Sequence, residues 1–154
     1  MSQILVVSDI DTVRSQVTSI LQSPQCSVLE LKSGRFVRNF VSDNEVDLVI
    51  LDCQIGSMGA FAVTQDLRLE EFDNRLEHIP VLIMLDRRAD TWLAREVNAE
   101  GFIIKPIDPI RLNNAVKSTL NGKTWFDATF APLPLKPVHV SATSLPGLSS
   151  SLAG

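Results

Sequence analysis

A chain of 154 residues, 45% apolar and 21% charged, can build one core of ordinary size and is too apolar to remain disordered. Its formal net charge of −4 argues against a general attraction to nucleic acid, and no apolar run approaches the length that spans a bilayer. The start lacks the basic segment and long apolar stretch of a secretory signal. Cys26 and Cys53 form no metal-binding pattern, so a reducing cytoplasm is the expected setting.

The first apolar run, residues 4–7, ends in Ser8-Asp9-Ile10-Asp11. A helical stripe follows at Val13, Val17, Ile20 and Leu21, and Asp11-Thr12 in front of it is a capping signal. A second run covers 28–31, and Ser33-Gly34 opens a helix with Phe36, Val37, Phe40 and Val41 on one face. A third run, 48–51, leads into Asp52 and a helix marked by Phe61, Val63 and Leu67. The fourth, 81–85, ends at Leu85-Asp86 and precedes a helix carrying Leu93 and Val97. The fifth, 102–104, ends at Lys105. Asp108 then caps a helix with Pro109 at its first position, Leu112, Val116 and Leu120 inward, and Gly122 just past its end.

Most of these runs are continuous, as parallel strands covered on both faces require. Five alternations of strand and helix predict a doubly wound α/β domain over residues 1–121, with ligands at the carboxyl ends of the strands. From Lys123 the composition changes: the last 32 residues hold three charged side chains and four of the eight prolines. Residues 122–154 are expected to be a largely flexible Pro/Ser-rich tail, with Trp125, Phe126 and Phe130 able to dock its start on the body. His78 and His139 have no ligand-spaced partners and read as solvated loop residues, and the PxxP at 134–137 reads as linker.

The strand-end residues carry the chemistry. Asp9 and Asp52 supply hard oxygen ligands suited to Mg²⁺, and Lys105 is a positive point charge for a phosphoryl group. Nucleophile, metal and charge clamp are the parts of phosphoryl transfer onto a carboxylate. Asp9-x-Asp11 also matches the loop of haloacid dehalogenase-like phosphohydrolases, but the Ser/Thr and the later acid pair of that chemistry are missing. Flavin binding fares no better, because Ser-Asp-Ile-Asp-Thr is too acidic for a phosphate guest.

ILVVSD, DLVILDCQIGSMGAF and GFIIKPIDP together resemble the receiver domain of bacterial two-component response regulators over about residues 1–121. The resemblance implies a flavodoxin-like (βα)5 fold, with a five-stranded parallel sheet in the order 2-1-3-4-5. It implies Asp52 as phospho-acceptor and Lys105 as its phosphoryl-pairing partner. Asp9, Asp52 and the backbone carbonyl of Gln54 would hold Mg²⁺. Lys105-Pro106 stands where the family's peptide bond is typically cis, and Phe102 stands at the switch aromatic. A sensor histidine kinase is the implied partner, without a role for nucleic acid or membrane. The face of the fourth helix, fifth strand and fifth helix, with Trp92, Arg95, Phe102 and Arg111, is the implied contact or homodimer surface.

Three departures mark the chain as atypical. Ser8 replaces an acid, which should weaken Mg²⁺ binding. Leu85 or Asp86 takes the place of a Ser/Thr hydroxyl. Gly56 and Gly59-Ala60 replace the usual Pro and Asp-Gly after the acceptor. The expected function is that of an atypical stand-alone receiver acting by protein–protein contact, or a receiver-like binding module that phosphorylation does not regulate.

Overall fold

The computed structural model describes residues 1–54, 56 and 58–128. Six strands, β1 (Ser2–Val7), β2 (Cys26–Leu31), β3 (Leu48–Asp52), β4 (Val81–Leu85), β5 (Gly101–Ile104) and β6 (Trp125–Phe126), form one parallel sheet in the order β2-β1-β3-β4-β5-β6. Helices α1 (Asp11–Leu21), α2 (Val37–Asp43), α3 (Ala60–Phe72), α4 (Thr91–Glu96) and α5 (Pro109–Leu120) alternate with the first five. The predicted order of those five strands is the one observed. The sixth was not predicted as a strand: two residues are too few to show a period. Phe130, the 134–137 stretch and His139 lie outside the described residues.

Alternation along the strands splits the interior into two cores. Leu5, Val7, Val49, Leu51, Ile83 and Leu85 meet α2, α3 and α4 through Val37, Val41, Val63, Leu67 and Ala94. Ile4, Val6, Leu48, Ile50, Leu82 and Met84 meet α1 and α5 through Val17, Leu21, Leu112 and Val116. Strands β1, β3, β4 and β5 are therefore buried on both faces, which is why their sequences read as unbroken apolar runs. Phe36 departs from its predicted stripe: it belongs to the 3₁₀ turn before α2 and lies exposed.

Helix ends follow the punctuation in most places. Asp108 accepts from the Ile110 and Arg111 amides, Pro109 is the first helical residue, and Gly122 takes φ +77° after α5. Ser33 caps the turn before α2. Asp11 is a correction. It makes no capping bond but is the first residue of α1, where its charge faces the positive end of the helix and pairs with Arg14. Among the described residues, no helix is long and apolar enough to cross a membrane.

The order of strands reverses between β1 and β3. The carboxyl ends of these two strands, joined by those of β4 and β5, face the loops that hold the candidate site.

Candidate functional site

Asp52, the last residue of β3, has no exposed surface, and among the described residues three donors surround its carboxylate. The Ser8 hydroxyl donates to Oδ2 at 2.7 Å, the Lys105 ammonium donates to Oδ1 at 2.6 Å, and the Gln54 amide reaches Oδ1 at 3.4 Å. Ser8 is itself buried and accepts from the Ile10 amide at 3.1 Å, which leaves its proton directed at Asp52. A buried carboxylate needs such a shell, since an unpaired charge in this position would be strongly disfavoured.

Lys105 follows β5 and holds a second carboxylate, with Asp86 Oδ1 3.0 Å from Nζ. Burial works against the charged ammonium, but hydrogen bonds to Asp52 and Asp86, reinforced by their charges, hold its pKa above the usual lysine range. The Lys105-Pro106 peptide bond is cis.

The end of β4 is now resolved into its two residues. Leu85 is fully buried in the core beside α2, α3 and α4, whereas Asp86 turns to the lysine. Its carboxylate shares Lys105 with Asp52. Cys53 lies half-buried against the same core as Leu85. Burial pushes its thiol up, and the nearby Asp86 and Asp90 charges push the same way, so it stays a thiol.

Asp9 is exposed, and its Oδ2 accepts from the Gly56 amide at 3.1 Å. A side chain at residue 56 would start 2.9 Å from that oxygen, so glycine is what lets the loop approach. Asp11 lies outside the pocket, paired with Arg14 and largely exposed. The second aspartate of the phosphohydrolase motif is thus not directed at the site.

Arg14 escaped the sequence reading. Its buried guanidinium donates to the Ser8 carbonyl, pairs with Asp11, and bonds Glu30 at 3.2 Å, so it fixes the chain that carries Ser8 and Asp9. The available signal was spacing: Arg14, Val17 and Leu21 share one helix face, and a cation on that face needs buried partners.

The predicted contact residues divide differently. Trp92 is 61% exposed. Phe102 is 2% exposed, with its ring centroid 5.2 Å from that of Phe126. The Arg95 guanidinium lies 4.1 Å from the Phe126 centroid and 5.8 Å from that of Phe102. Arg111 is mostly buried and pairs with Asp127. His78 is likewise engaged, with its ring nitrogens 2.9 and 3.2 Å from Glu71 and Glu100.

The model of the response regulator receiver domain matches residues 4–117. An uncharacterized response regulatory protein of Mycobacterium tuberculosis is 31% identical over 126 residues, covering 78% of this chain and 92% of that protein. The aerobic respiration control protein ArcA of Escherichia coli is 27% identical, covering 77% of this chain and half of ArcA. Among solved structures, the response regulator ChrA of a heme-sensing two-component system superposes with a TM-score of 0.64 at 25% identity, over 80% of this chain and 58% of that one. The chemotaxis response regulator CheY4 of Vibrio cholerae gives 0.68 at 22% identity, over 76% and 97%, a likeness of fold. With its strand order, its strand-end aspartate and lysine and the family match in agreement, the chain belongs to the response regulator receiver domain family of two-component signalling.

Proposed function

We propose that the chain is an atypical receiver in which Asp52 is the phospho-acceptor and the output is contact with another protein. The observation that carries this reading is the 2.6 Å contact between Lys105 and Asp52 at the ends of β5 and β3. In the transfer, a carboxylate oxygen of Asp52 attacks the phosphorus of a phospho-histidine or acyl phosphate, and the bond to the donor breaks with its electron pair. Lys105 then faces the new charge. The source we propose is a sensor histidine kinase.

Two residues hold this pocket back. The Ser8 proton on Oδ2 must turn away before that oxygen attacks, and Asp86 competes with the incoming phosphoryl group for Lys105. The set of Asp9 carboxylate, Asp52 carboxylate and Gln54 carbonyl is all oxygen and fits Mg²⁺, with Ser8 contributing a hydroxyl where a third charge would strengthen the site. Bound there, the metal would offset the charge of phosphoryl and carboxylate oxygens. The same two restraints favour the second reading, a binding module that phosphorylation does not regulate.

Intact-mass measurement after incubation with Mg²⁺ and a small acyl phosphate separates the readings. The expected result is one phosphoryl group on the wild-type chain, none on Asp52→Asn, and a higher fraction modified in Asp86→Asn. An unmodified wild-type chain that also shows no Mg²⁺ binding would leave only the binding module.

A further inference from the structure

One stretch of the sequence has no place in the site at Asp52. It is Pro132-Leu133-Pro134-Leu135-Lys136-Pro137, three prolines in six residues, and Lys136 is the only charged side chain from 129 to 154. Prolines at i and i+3 stand on one ridge of an extended polyproline helix, which has three residues per turn. Such a segment docks on aromatic-lined grooves at little entropic cost.

A groove of that kind lies between α3 and α4. It measures about 780 Å³, and Leu69, Phe72 and Val97 line it. Leu69 and Phe72, one helical turn apart, are 62% and 84% exposed, so they form a paired patch rather than two stray apolar residues. Three charges line the same groove. Arg68 and Glu71 pair with each other, and Arg68 also holds Glu100. Glu96 is exposed and has no ion pair among the described residues.

The groove is within reach of the proline segment. Ala128 lies beside Arg88 and Thr91 at the start of α4, and the groove lies at the other end of that helix, by Glu96 and Val97. The path runs about 9 Å along the six residues of α4 and about 8–10 Å across to α3. Residues 129–134, extended at about 3.3 Å each, cover that distance and bring Pro134 to the groove.

We propose that the α3–α4 groove is the docking site of this chain's own segment 132–137. Pro134 and Pro137 lie against Phe72 and Leu69, and the Lys136 ammonium pairs with Glu96. A segment tethered this close meets the groove at high effective concentration, so a modest apolar contact and one exposed ion pair are enough to hold it. Neither Asp52 nor Lys105 takes part, so the groove stands apart from the phosphorylation reading.

A zero-length carbodiimide, which joins an ammonium to a carboxylate in contact with it, tests this on the full chain. Peptide mass spectrometry identifies the products, and a mixture of ¹⁴N- and ¹⁵N-labelled chains separates links within one chain from links between copies. The expected product joins Lys136 to Glu96 within one chain. Its initial rate should fall about five-fold or more in Phe72→Ser, the loss typical of an aromatic anchor. Phe72 is exposed, so that variant should keep the fold, as its melting curve would check. An unchanged rate in Phe72→Ser would overturn the proposal. So would Lys136 left unlinked or joined evenly to many surface carboxylates, and mixed-isotope links alone would give the groove to a second copy instead.

Discussion

Lys105→Ala is expected to cost roughly 2–4 kcal/mol of folding stability, because it strands the buried Asp52 carboxylate without its cation. The loss is set toward the lower part of the range for breaking a buried pair, since Lys105 is one-fifth exposed and water can enter. Ser8 and Gln54 still donate to Asp52, but neither carries a charge, and Asp86 would lie beside it with no cation between them. Asp52→Asn in the same chain should recover most of the loss, because it removes the orphaned charge. The pH dependence follows from the raised ammonium pKa: the contribution is complete below the ordinary lysine range and is lost as pH rises through the higher folded value. The difference between wild type and Lys105→Ala should therefore stay level through neutral pH and narrow only in strong alkali. Urea unfolding of the two single variants and the double variant measures all of this. An unchanged midpoint for Lys105→Ala, or no recovery in the double variant, would contradict it.

Ser8→Asp should make stability depend on divalent cation. The hydroxyl stands 2.7 Å from Asp52 Oδ2 with no exposed surface, so a carboxylate placed there meets a like charge in a dry setting. Without metal, the two acids repel each other across a pocket whose lysine Asp52 and Asp86 already share, at a cost of roughly 3 kcal/mol near neutrality. A carboxylate pKa raised in the folded state makes that cost grow with pH above the ordinary carboxylate range and fade below it. Mg²⁺ should reverse the loss by about 2.7 kcal/mol at a hundredfold excess over its dissociation constant. Thermal melts with and without Mg²⁺ decide the matter. A variant that ignores the metal would remove Ser8 as the reason for a weakened site.

The sheet was legible because burial on both faces forces unbroken apolar runs, and the strand-end residues followed from the order of those runs. What stayed hidden depends on contacts between distant segments. Nothing local says whether Leu85 or Asp86 faces Lys105; the strand's last pleat decides, by sending Leu85 inward. Ser8 could be read as a missing acid, but not as a donor locked on Asp52. Asp11 carried a capping signal that the ion pair with Arg14 overrode. Trp125 and Phe126 could be singled out as docking residues. Their pairing with β5 rests on Gly101 and on Arg111, residues that no periodicity links to them.

The division of the interior by the sheet makes energetic neighbourhood differ from chain neighbourhood. Leu5 and Val6 are bonded to each other yet belong to separate cores, while Leu5 and Leu67, far apart in sequence, share one. Destabilising changes at Leu5 and Val6 should nearly add, and changes within one layer should not, because their cavities can relax into each other. The domain thus tolerates variation as two half-independent reservoirs. A sequence can drift on the α1–α5 side, beneath Met84 and Ile103, while the layer that seats Leu85 and Phe102 keeps its own packing.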